Sequence, residues 1–247
     1  MTKLILNLTK IVLVLLSALF FGSCNFQIDG FKSVEGSGNV TTEVRSIAEN
    51  FTAIDAATGL EVEVVQQDQT EVQVIADDNL HQHILIEVVN GVLEIKSDRS
   101  IKNEKSKKII VGLPICDGLS TSSGASLNSK DKLKGPNIDL STSSGSEIKV
   151  MLEYDEINGE SSSGSSLDVS GLSLKSRFES SSGSSINAEE LTSNDVFADA
   201  SSGSEITLNA VLTLEAEASS GSSIKYVKSP EKGLTMKKSS GGDVSKM

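Results

Sequence analysis

The sequence predicts an all-β protein: a parallel β-solenoid of short coils, with some antiparallel hairpin strands in its N-terminal part. Three observations carry this. First, Ser-Ser-Gly recurs seven times, with its glycine at Gly124, Gly145, Gly164, Gly183, Gly203, Gly221 and Gly241, at spacings of 21, 19, 19, 20, 18 and 20 residues. A period that regular marks one small unit laid down repeatedly. Second, a branched aliphatic stands three places after every glycine: Leu127, Ile148, Leu167, Ile186, Ile206, Ile224 and Val244. Third, apolar and polar residues alternate on both sides of the corner, which is the pattern of strands with one buried face.

Residues 1–24 read as a secretory signal. Lys3 and Lys10 precede the apolar run Ile11–Phe21, and Gly22-Ser23-Cys24 closes it. The run is short for a membrane span of about 20 residues. Small residues before a cysteine make a bacterial lipoprotein processing site, with Cys24 the lipid-modified first residue of the mature chain. The sequence therefore places the protein outside the cytoplasm, anchored to the outer membrane on its surface or periplasmic side. Residues 25–46, with Gly30, Gly36 and Gly38 among scattered charges, read as a flexible tether.

Residues 47–118 read as an N-terminal β part. Ile54–Val64 repeats the coil pattern in worn form around Gly59, with Val62 and Val64 at the apolar offsets. Strands are expected at 61–67, 71–76, 84–89, 92–97 and 108–113. Asn90-Gly91 between two of them is a two-residue hairpin signal. Residues 119–247 form the Ser-Ser-Gly solenoid proper. In each coil small residues (Thr121, Thr142, Ser180, Ala200, Ala218) precede the corner, and the glycine supplies the positive φ that a sharp bend needs. The serines suit stacking and hydrogen bonding from coil to coil. Lys237 and Lys238 in the last copy suit a terminal coil that faces water and resists strand addition.

Composition narrows function. With 22 basic and 34 acidic residues the chain has a net charge of −12, and removing Lys3 and Lys10 takes it to about −14. That argues against electrostatic binding to nucleic acid. Cys116 is the only other cysteine and reads as a buried thiol. His81 and His83 fall beside the polar turn Asp77-Asp78-Asn79 rather than in a metal-ligand spacing. The many serines lack a Gly-x-Ser-x-Gly elbow, and both histidines lie outside the repeats, so no hydrolase is expected. The column Glu160, Glu179, Asp199 and Glu217 reads as a solvated acidic ladder rather than a calcium site. No cofactor and no catalytic or metal-ligating residue is expected. The corner glycines, Gly59 included, are structural.

These features resemble the family called putative auto-transporter adhesin, head GIN domain, common among lipoproteins of the Bacteroidetes. The likeness covers roughly residues 46–230. It rests on Phe51–Ile54, on Gly59–Val64, on Asn90–Ile95 and on the serial Ser-Ser-Gly coils, with Gly183–Asn187 nearest the name-giving motif. The resemblance implies a right-handed β-helix and an extracytoplasmic role, and brings no catalytic residues. The expected function is a non-enzymatic, lipid-anchored envelope protein presenting a solenoid surface to an extracellular protein or glycan, in adhesion. The alternative is a carbohydrate-binding or carbohydrate-active envelope β-helix.

Overall fold

Strands account for most of the computed structural model, which describes residues 32–247. The segment 1–24 expected to be a signal, with Cys24, and the first residues of the expected tether lie outside that range. In chain order the strands are β1 (Ser33–Glu35), β2 (Val40–Arg45), β3 (Ala53–Ala56), β4 (Glu61–Gln66), β5 (Glu71–Asp77), β6 (Ile84–Val89), β7 (Val92–Ser97), β8 (Ser100–Lys102), β9 (Lys107–Leu113) and β10 (Gly118–Thr121). They continue as β11 (Ser126–Ser129), β12 (Leu133–Thr142), β13 (Glu147–Ser161), β14 (Ser166–Ser180), β15 (Ser185–Ala200), β16 (Glu205–Ala218), β17 (Ser223–Tyr226), β18 (Gly233–Lys238) and β19 (Asp243–Lys246).

Two parallel ladders run along the solenoid, one on each side of the corner. Before the corner the stack is β7, β3, β10, the later halves of β12 to β16, then β18. After it the stack is β9, β4, β11, the first halves of β13 to β16, β17 and β19. In-register pairing puts each buried aliphatic on its equivalent: Leu127, Ile148, Leu167, Ile186, Ile206 and Ile224 are each at most 1% exposed. Burying one such side chain contributes roughly 1.5–3 kcal/mol. Where a coil carries glycine instead, the neighbour fills the space. Phe178 pairs in register with Gly159, and its ring takes the volume that a Cβ there would need.

The corners explain the tripeptide. Gly59, Gly124, Gly145, Gly164, Gly183, Gly203, Gly221 and Gly241 all have φ between +69° and +81°. The residue before each, Thr58 or the second serine, is also left-handed, with φ between +47° and +58°. Two consecutive left-handed residues make a type I′ turn, closed in the Ser-Ser-Gly copies by a hydrogen bond such as Ser204 N–H to Ser201 C=O. Successive turns then bond to one another, as where the Gly183 N–H donates to the Ser202 carbonyl at 3.1 Å. Just past the glycine lies a buried serine, Ser146, Ser165, Ser184, Ser204 or Ser222. The Ser204 hydroxyl donates to the Ser180 carbonyl of the preceding coil at 2.7 Å and accepts from the Ser201 N–H at 3.2 Å. Ser222 does the same with Ala200 and Ser219. Every polar group at this inner bend is thereby satisfied, which a buried hydroxyl requires.

At the N-terminal end the stack departs from chain order. The first coil, β3–β4, is the second layer, because β7 and β9 lie on its far side. Antiparallel strands extend those: β6 on β7 through the turn at Asn90 and Gly91, then β5 on β9 and β2 on β5. The expected hairpin is therefore present. Within the segment 25–46 read as a tether, Ser33–Glu35 pairs with β8 and Val40–Arg45 with β5, so these residues are strands rather than flexible chain. Its glycines do not prevent this. Asp77, fully buried, accepts the N–H groups of Gly38, Lys105 and Ser106 and pins both approaching loops. The 118/119 boundary is likewise no physical break, for Ser33–Met247 form one compact unit. No helix among the described residues is long and apolar enough to cross a membrane.

Candidate binding face

Alternation along a strand sends every second residue outward, and parallel register lines those residues up. On the ladder before the corner, one outward row is Glu94, Asp55, Ser120, Ser141, Glu160, Glu179, Asp199, Glu217 and Lys237. The next row toward the preceding bend is Asp139, Asn158, Arg177, Phe197, Glu215 and Thr235. The acidic column read from the sequence is thus brought together in register, although its members lie 18–20 residues apart.

This face is concave. Three depressions of about 510, 300 and 960 Å³ lie along it. They merge: Asn158 and Arg177 line both the first and the third, and Ser141 and Glu160 both the second and the third. The resulting trough runs from Val92 on β7 to Thr235 on β18. At about 4.8 Å per strand its nine strands span roughly 40 Å.

The trough is acidic. Asp117, Asp139, Glu156, Glu160, Glu179, Asp195, Asp199 and Glu215 line it, against Lys175 and Arg177. Some of this charge is met locally. Lys175 approaches Glu156 at 3.3 Å, Lys237 approaches Glu217 at 2.5 Å and Glu215 at 3.3 Å, and the Thr213 hydroxyl donates to Asp195 at 2.6 Å. Arg177 bonds Glu179 through Nε at 2.7 Å and lies 4.2 Å from the centre of the Phe197 ring. Glu160 and Asp199 have no basic partner within ion-pair distance among the described residues. Partial burial, with Glu217 and Glu179 on the flanking coils, raises the Asp199 carboxyl above the usual carboxylate range, and Arg177 opposes the shift. Asp55, further along the same row, is raised by burial and by Glu94.

The other candidates from sequence are structural. The Ser-Ser-Gly glycines and second serines are exposed and Gly59 is half-buried, while the serines past the glycine are buried in the bonds described above. Cys116 is buried, and burial pushes its thiol up to about 12. The Tyr154 hydroxyl donates to the Cys116 carbonyl at 2.6 Å. His81 and His83 lie in a single 3-10 turn, not on a strand. His81 Nε2 lies 2.9 Å from the Thr41 hydroxyl and His83 Nδ1 2.9 Å from Asp98. Among the described residues no group of His, Cys, Asp and Glu has a metal-binding arrangement, the acidic row included. Phe197 and Arg177 were the parts of this face that the sequence reading did not connect. Their signal was present, because both occupy the outward position six places before their glycines.

The fold and its long outward rows define a parallel β-solenoid with a repetitive side face. The chain belongs to the family described as "Putative auto-transporter adhesin, head GIN domain", matched over residues 50–230. Solved structures share the architecture. A protein described as a putative adhesin of Bacteroides fragilis has a TM-score of 0.80 at 23% identity, covering 87% of this chain and 100% of its own. One described as a putative lipid binding protein of Parabacteroides distasonis gives 0.71 at 18%, with the same coverage. A putative adhesin of Parabacteroides merdae gives 0.69 at 15%, covering 87% of this chain and 99% of its own. At these identities the likeness is one of fold. No curated protein matches the chain.

Proposed function

We propose that the protein is a lipid-anchored, non-enzymatic adhesin of the cell envelope, held to the outer membrane through Cys24, and that the side of its solenoid engages an extracellular partner. The observation that carries this reading is the trough itself: an open surface of roughly 40 Å built from equivalent positions of successive coils, rather than a closed pocket. Repeat stacks with such faces suit extended partners. Family membership supports the adhesive role. The sequence motif ending at Cys24 supports the anchor. The carbohydrate alternative gains nothing from the face, because its one aromatic ring among the lining residues, Phe197, is covered by Arg177.

The test uses intact cells. Deletion of the protein, or Cys24→Ser, should lower attachment to matrix or partner cells, and Cys24→Ser should move the protein out of the membrane fraction. Attachment unchanged by both alterations refutes the adhesive reading. Membrane retention of the Cys24→Ser protein refutes the anchor.

A further inference from the structure

We infer that the trough is a docking groove for an extended, arginine- and lysine-rich polypeptide segment; this deepens the adhesive reading and rests on it. Charge is the first argument. Eight acidic side chains and two basic ones line the three depressions, so the face that a partner meets is strongly negative. Clefts lined by one sign of charge concentrate the opposite sign and set which partners approach.

The chain's own Arg177 is the second argument, independent of the count. Its guanidinium lies across the trough between the Glu179 carboxylate and the Phe197 ring. A planar cation over an aromatic face, with a carboxylate at its edge, is the arrangement by which proteins recognise arginine. The groove is thus already furnished for a guanidinium group at one point, and the acidic row continues on both sides of it. Glu160 and Asp199 flank that point without a basic partner among the described residues. Lys237 at the end of the row is held by carboxylates alone, bridging Glu215 and Glu217.

Shape is the third. An extended polypeptide advances about 3.3 Å per residue, so about twelve residues fill the trough, whereas a compact basic protein would touch only part of it. A divalent cation is disfavoured, because among the described residues no acidic group converges as a metal site requires.

The purified full-length protein should bind a fluorescent alternating arginine–serine dodecapeptide saturably and more weakly as salt rises, and should ignore the glutamate–serine counterpart. The triple variant Glu160→Gln, Glu179→Gln, Asp199→Asn should weaken binding by about tenfold or more, since each lost charge contact counts for a fraction of this. The pair Glu189→Gln, Glu190→Gln, outside the trough, should not. Arg177→Ala should tighten binding by roughly threefold, by vacating the Phe197 face. No saturable binding, equal weakening by the two acidic variants, or equal binding of hen lysozyme and the peptide would overturn the inference. The attachment assay separates the two readings. If the peptide fails to bind while Cys24→Ser still abolishes attachment, the partner chemistry falls and the adhesive role stands.

Discussion

Gly183 and Gly171 are both in the left-handed half of backbone space, yet alanine should have unlike effects at the two. At Gly183 φ is +70° and an added Cβ would have nothing within 4 Å. Its cost is therefore torsional only. Holding an L-residue in that conformation costs roughly 1–2 kcal/mol, and the reduced freedom of the unfolded chain returns about 0.4–1 kcal/mol. A net loss near 1 kcal/mol follows, a shift of about 2–4 °C in Tm for a chain of this size. At Gly171 φ is +114° and the Cβ would collide with the backbone carbonyl of Leu152 on the adjoining coil. No side-chain rotation relieves that contact, so the stack itself must part, at about 3 kcal/mol or more. Urea unfolding followed by far-UV circular dichroism measures both. Gly183→Asn should fall below Gly183→Ala in cost, because asparagine tolerates this conformation. If Gly183→Ala destabilises as much as Gly171→Ala, the corners are sterically closed and the torsional account is wrong.

Other expectations follow from the same stack. Ser182, exposed at φ +55°, should accept asparagine with a gain of about 0.5 kcal/mol, since Asn-Gly is the preferred type I′ pair; a loss would mean the second serine has a further structural partner. Ser204→Ala removes the hydroxyl's bonds to the Ser180 carbonyl and from the Ser201 N–H, while that N–H and carbonyl still bond each other at 2.9 Å, and should cost about 0.5–1.5 kcal/mol in urea unfolding, whereas an unchanged midpoint would remove the buried serine ladder as a source of stability. Ile186→Asp buries a charge with no partner in mid-stack and should abolish the cooperative transition; retention of the parent Tm refutes that. For Asp199 the folded protein holds its proton to higher pH than the unfolded chain does. Its contribution to stability is therefore greatest at low pH and falls as pH rises through and above the usual carboxylate range. Asp199→Asn should raise Tm at neutral pH and lose that advantage in acid, so a variant no more stable than the parent at pH 7 contradicts the account in which burial and the flanking carboxylates disfavour the charged form.

The solenoid was legible in the sequence because its determinants are local. The glycine, the aliphatic three places on and the alternation around them all fall within one coil, and seven copies repeat the statement. The hairpin at Asn90-Gly91 was legible for the same reason. What stayed hidden depends on pairing at long range. Val40–Arg45 has alternation too weak to mark a strand, and becomes one because β5 offers it an antiparallel edge. The β7 and β9 layer precedes β3 and β4 in space though it follows them in sequence, an order that no residue in β3 announces.

The candidate face shows the same division between local and distant determinants. That Glu160, Glu179, Asp199 and Glu217 face outward follows from period 2 alone. Their standing in one row follows only once each coil is fixed in register with the next, and register is set inside, where the Ile148, Leu167, Ile186 and Ile206 column is buried. A one-residue slip between two coils would turn those aliphatics outward and the carboxylates inward. The core therefore holds the acidic row in line against its own repulsion. Burial first, and then Glu217 and Glu179 on the flanking coils, raise the Asp199 carboxyl, and a cationic partner laid along the row would relieve the part that comes from the flanking carboxylates.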